Sequence, residues 1–99
     1  MKTIIERAME KYGFNNQVVV AVEELSELQK ELCKSLRGEV SIDRIAEELA
    51  DVEIMLWQVQ KLFGIEDKYV QEVINFKLSR LKERLEREEQ NEKTEPPLR

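Results

Sequence analysis

The sequence predicts an all-α fold, a four-helix-bundle-like chain with a short first helix and three longer ones, on three observations. Its 99 residues include only three glycines and two prolines, the two residue types that most disfavour helix interiors. Glu, Lys, Leu and Gln, all good helix formers, are abundant. Apolar residues recur at steps of three and four along most of the chain, the period of an amphipathic helix.

The first helix is expected over about Thr3 to Tyr12, with Thr3 as N-cap and Gly13 as its stop. Asn15 or Asn16 is expected to cap the second, which runs to about Leu36 and ends at the Arg37-Gly38 break. Its inward stripe reads Val18, Ala21, Val22, Leu25, Leu28, Leu32 and Leu36. Ser41 caps the third helix, whose Ile42, Ile45, Leu49, Val52, Leu56, Val59 and Phe63 follow the three-four alternation of a packed seam, closed by Gly64. The fourth starts near Glu66 and carries Val70, Val73, Ile74, Leu78, Leu81 and Leu85. One domain is thus expected over residues 1–88. A charged, flexible tail follows over residues 89–99, containing Pro96-Pro97.

Composition narrows the function. Sixteen basic and 21 acidic residues leave a net charge of −5, which argues against a nucleic-acid partner because phosphate contacts need a basic surface. No apolar run is long enough to span a membrane and the N-terminus lacks a signal-peptide core, so a cytoplasmic protein is the expectation. With no histidine, a Ser-His-Asp triad, an HExxH zinc site and an imidazole base are all excluded. A single cysteine, Cys33, allows neither an internal disulfide nor a cysteine zinc cluster, and it reads as a small residue beside the core.

Carboxylates are left, and they are placed with a pattern. Val22-Glu23-Glu24-Leu25-Ser26-Glu27-Leu28 in the second helix is echoed in character by Ala46-Glu47-Glu48-Leu49-Ala50-Asp51-Val52 in the third. Glu24 and Glu27 share a face, as do Glu48 and Asp51, and each immediately precedes a core residue. Residues 13–29 and 45–60 hold seven acids and no base, unlike an ordinary solvated face of mixed sign. The short connection makes the two helices antiparallel neighbours, so the four acids gather at one seam. Four such carboxylates repel one another unless a cation compensates, and an all-oxygen set suits Mg²⁺ or Mn²⁺ rather than zinc. Magnesium held this way commonly engages substrate phosphates.

EExxE, a linker of about twenty residues, then EExxD, on two helices of a small α-helical chain, resembles the MazG-like, all-α nucleoside triphosphate pyrophosphatase superfamily. The resemblance covers roughly residues 10–85. It implies hydrolysis of the α–β phosphoanhydride of a nucleoside triphosphate to the monophosphate and pyrophosphate. It implies Glu24, Glu27, Glu48 and Asp51 as Mg²⁺ ligands, with a carboxylate, Glu27 being the candidate, taking the proton of the attacking water. Family members also carry a motif resembling Lys-x-x-x-Asn-x-x-Arg on the following helix. This chain offers Lys77, Arg80 and Arg84 for the triphosphate, with Leu81 in place of the asparagine. The substitution places substrate recognition in question more than metal binding.

Two other readings compete: a non-catalytic helical oligomerisation or interaction module, and a phosphoribosyl-ATP pyrophosphatase-like enzyme. Tyr12 and Phe14 are minor candidates for stacking on a base; Met55 and Trp57 read first as core or interface packing, with lining of a base pocket or a subunit contact as the alternative. Tyr69, Val73 and Phe76 form a second apolar strip on the fourth helix, from which a homodimer or homotetramer is expected.

Overall fold

A computed structural model describes residues 1–94. The chain is all-α: α1 (Ile4–Tyr12), α2 (Phe14–Leu36), α3 (Ile42–Leu62) and α4 (Asp67–Thr94), with no strand among the described residues. None of these helices is long and apolar enough to cross a membrane. The chain divides into two units, residues 1–65 with α1 to α3, and a second unit beginning at Glu66 that holds α4.

Local chemistry sets most of the boundaries. The Thr3 hydroxyl accepts from the Glu6 amide at 3.1 Å and the Ser41 hydroxyl from the Arg44 amide at 3.3 Å, so the caps of α1 and α3 fall where the sequence places them. The start of α2 does not. Neither Asn15 nor Asn16 caps it. The helix begins directly after Gly13, which has no side chain to offer, and the Asn16 amide instead donates back to the Tyr12 carbonyl at 2.8 Å. Gly13 sits at φ 85°, ψ 164°, a backbone region essentially reserved for glycine, and this single residue carries the turn from α1 into α2.

α2 and α3 form an antiparallel hairpin. Arg44 at the start of α3 meets Glu31 near the end of α2, while Asp51, two turns further along α3, interacts with Glu24, two turns earlier in α2. At the far end the Phe14 and Phe63 rings meet edge to face with centroids 5.2 Å apart, tying the first turn of α2 to the cap of α3. α1 packs against both helices of the hairpin.

The seam itself is rotated from the predicted stripes. Ala21 and Val52 are buried as expected, and Val18, Leu28, Ile45 and Val59 are partly so. Their buried companions are polar, namely Gln17, Glu31, Glu48 and Gln58. Val22, Leu25, Leu32, Leu36, Ile42, Leu49, Leu56 and Phe63 are exposed. Both helices are apolar over more than one face, and the intrachain contact takes the edge of that surface that also holds the acids. Cys33 is likewise exposed rather than beside a core.

In the second unit, α4 continues to Thr94, past residue 88 where the sequence suggests a tail. Residues 86–94 contain neither Gly nor Pro, and Lys82 and Glu86 pair one turn apart at 4.0 Å, so helix propagation needs no apolar stripe there. Residues 95–99, with Pro96-Pro97, lie outside the described residues. Along α4, Val73 is half-buried while Tyr69 and Phe76 are exposed.

Candidate metal centre

The acids occupy consecutive turns of the hairpin. Glu24, Glu48 and Asp51 each present a carboxylate oxygen, all within 4.8 Å of one another. Glu27 lies outside this trio and is exposed, yet its charge acts on both Glu24 and Glu48. Three of the four predicted ligands therefore converge, and the fourth stands beside them.

Burial and like charge together make this arrangement costly when ionised. Partial burial first, then the charges of Asp51, Glu48 and Glu27, raise the Glu24 pKa above its ordinary 4.5, assisted by the hydrogen bond its protonated carboxyl donates to Asp51. Glu48 is raised as well, by burial first, then by Glu27 and Asp51, with Arg44 opposing and Glu31 adding a little. Glu48 is only 8% exposed, and its Oε2 is enclosed with no hydrogen-bond partner. A buried carboxylate oxygen left unsatisfied is strongly unfavourable, and a divalent cation is the partner that would satisfy it and quench the repulsion. The donor set, all oxygen and without histidine or thiol, fits Mg²⁺ or Mn²⁺.

Two turns beyond Glu24 along α2, Glu31 is 4% exposed and pairs at 3.5 Å with both Arg44 Nε and Lys34 Nζ. This ion group caps the acidic seam with positive charge. Sequence reading passed over it, although Glu31 continues the Glu24-Glu27 row and Arg44 lies one turn before Glu48, so the helical period was the available signal.

In the other direction, the same register sets Gln17 opposite Gln58, at 5% and 2% exposure. The Gln58 Nε2 is enclosed and has no partner. Both glutamines line a cavity of about 650 Å³ between α1, α2 and α3, whose walls include Ile5, Ala8, Tyr12, Val20 and Met55. Of the stacking and lining candidates, Tyr12 and Met55 reach this cavity. Phe14 spends its ring on Phe63, and Trp57 is exposed.

Lys77, Arg80 and Arg84 share one face of α4, in the second unit. With Leu81, Glu83 and Arg87 they line a hollow of about 330 Å³. The Arg80 guanidinium lies 5.8 Å from the centre of the Phe76 ring, a cation–π contact. Arg87 donates to the Glu83 carbonyl at 3.5 Å. No protein-family model, curated protein or solved structure matches this chain.

Proposed function

We propose that the chain is a Mg²⁺-dependent nucleotide pyrophosphohydrolase of the MazG-like type, cleaving the α–β phosphoanhydride of a nucleoside triphosphate. The observation that carries this reading is the convergence of Glu24 and Asp51 around Glu48, whose buried Oε2 has no hydrogen-bond partner among the described residues. Those three residues hold the ion, with Glu27 beside them as a fourth ligand or as the group that receives the proton of the attacking water. Held there, Mg²⁺, or Mn²⁺ in its place, would polarise a phosphoryl oxygen and offset the charge of the triphosphate. Glu27 suits the proton-accepting role because it is exposed and close enough for its charge to act on Glu24 and Glu48, while Glu48 is enclosed. Water adds its oxygen to phosphorus, the bridging P–O bond breaks, and pyrophosphate departs with the bonding pair.

Arg44 and Lys34, both held on Glu31, supply positive charge at one end of the seam, and Lys77, Arg80 and Arg84 supply a basic face on α4. Either set is suited to a polyphosphate. The test is a panel of ribo- and deoxyribonucleoside triphosphates with pyrophosphate detection in Mg²⁺ and in Mn²⁺. Release of pyrophosphate and monophosphate from at least one nucleotide is expected, and no cleavage anywhere in the panel removes the enzymatic reading. A scaffold of this fold, the competing reading, is favoured by the exposed apolar residues on α2 and α3, and it predicts no saturable Mg²⁺ binding.

The same exposed residues support a homodimer or homotetramer. Val22, Leu25, Leu32 and Leu49, Leu56 project from one flank of the hairpin, an apolar surface of the kind that isolated chains rarely present to water. Sedimentation analysis is expected to show a dimer or larger species, and Leu25→Asp with Leu56→Asp to shift it toward monomer. A wild-type monomer at micromolar concentration would refute this part.

A further inference from the structure

We propose that Glu31 is a positioning residue of the metal centre: by holding Arg44 across the hairpin, it keeps that guanidinium off Glu48 and leaves the Glu48 carboxylate to a divalent cation. The inference rests on the metal-binding reading of Glu24, Glu48 and Asp51 and deepens it by naming what keeps the trio open.

Steps of seven residues separate Gln17, Glu24 and Glu31 on α2, and Gln58, Asp51 and Arg44 on α3. Successive cross-helix pairs therefore lie two turns, about 10 Å, apart. Glu24 meets Asp51 and Glu31 meets Arg44, an acid–acid pair followed by an acid–base pair. Glu48 lies between them, three residues before Asp51 and four after Arg44. Residues four apart on a helix are neighbours, so the Arg44 side chain has two buried carboxylates in reach, Glu31 across the seam and Glu48 one turn along its own helix.

It takes Glu31. Arg44 Nε stands 3.5 Å from Glu31 Oε1, and Lys34 Nζ stands at 3.5 Å from the same oxygen on the α2 side. Glu48 Oε2 is left without a hydrogen-bond partner among the described residues, although Arg44 is close enough for its charge to favour the ionised form of Glu48. The Arg44 side chain is 57% exposed, so its direction is set by the carboxylate it pairs with rather than by packing. Remove Glu31, and Glu48 becomes the buried, unpartnered anion one turn away. Glu47, three residues from Arg44, is solvent-exposed and therefore a weaker draw. A charge-assisted bond from Arg44 would then satisfy Glu48, and an incoming metal ion would have to displace the chain's own guanidinium.

The experiment is a double-mutant cycle on the full chain, with Glu31→Met, Arg44→Gln and the two combined, read as the Mg²⁺ dissociation constant by calorimetric titration. Met is close to Glu in length and offers no carboxylate. Glu31→Met is expected to weaken Mg²⁺ binding about 10-fold or more. Arg44→Gln is expected to bind at least as tightly as wild type, and the combined variant to bind like Arg44→Gln alone, because Glu31 matters only while Arg44 is there to be held. A Glu31 that serves packing alone, or that acts on the ion only through its own negative charge, weakens binding by the same factor with and without Arg44, and that result overturns the inference. Wild-type affinity in Glu31→Met overturns it too. Should Glu31→Met fail to fold in chelator by circular dichroism, the neutral isostere Glu31→Gln replaces it, and the same recovery on adding Arg44→Gln is required. If wild type binds Mg²⁺ and the cycle is additive, the positioning role alone is lost. If wild type shows no saturable Mg²⁺ binding, the metal centre falls and the inference with it.

Discussion

Glu48→Gln is expected to reduce pyrophosphate release by at least about 100-fold while leaving the metal-free chain folded and no less stable than wild type. The two halves of this expectation have one cause. Glu48 is enclosed, its Oε2 has no partner, and the charges of Glu27 and Asp51 oppose its ionisation. In the absence of a cation, its negative charge works against the fold, so a neutral isostere relieves the site. In the presence of a cation, the same charge is what binds, so the isostere disables it. Pyrophosphate-coupled kinetics and thermal melts in chelator check both parts. Retention of activity within 10-fold, or a melt well below wild type, would contradict the assignment of Glu48 as a ligand. A residue needed only for packing would lose stability and activity together.

Magnesium is expected to stabilise the chain strongly at neutral pH and weakly in mild acid. Burial and neighbouring carboxylates raise the Glu24 and Glu48 pKa values in the folded state above the ordinary 4.5. The folded chain then holds protons that the unfolded chain releases. The stability tied to these two groups is therefore fully present below the ordinary glutamate range and is lost as pH rises through their raised values. The charged groups facing them are Glu27 and Glu31 from α2 and Arg44 and Asp51 from α3, and the acids outnumber the single arginine. Mg²⁺ competes with those protons. Its contribution grows with pH, reaching about 2.7 kcal/mol where the ion is at a hundredfold excess over its Kd. Thermal melts from pH 5 to 8, with and without Mg²⁺, should diverge upward with pH, and the divergence should vanish in the Glu24→Gln, Glu48→Gln double variant. Parallel curves at every pH would mean that the trio binds no ion.

The order and extent of the helices are legible in the sequence because short-range chemistry decides them. Thr3 and Ser41 cap by hydrogen bonds to amides three residues away, and such caps are written in a few adjacent letters. The misplaced α2 start has the same origin in reverse. Two asparagines looked like caps, but Gly13 already turns the chain, and Asn16 is drawn into a bond with Tyr12. The facing of the helices is less legible. α2 and α3 are apolar over a wide arc, so the three-four pattern fits several rotations, and the one adopted brings Gln17, Glu31, Glu48 and Gln58 inward. Periodicity weighted by hydrophobicity cannot find a seam built around polar residues. The approach of Glu24, Glu48 and Asp51 is legible because its signature is repetition and missing bases rather than hydrophobicity. The glutamines and the Glu31 ion group were missed because their meaning lies across the hairpin, in pairs that no single helix displays.

Gly13 gives the chain an uneven tolerance to change. A methyl group added there would touch nothing within 4 Å, so the obstacle to a side chain is torsional alone, about 1–3 kcal/mol for a backbone in that region. The whole of α1, and with it the Ala8 and Tyr12 wall of the cavity, is joined to the hairpin by that one residue. Residues along α1 can be exchanged singly to alter what the cavity admits. The angle at which α1 presents them is set at position 13 together with the Asn16–Tyr12 hydrogen bond and the packing of α1 on α2 and α3, so a substitution at position 13 acts on that wall as a whole.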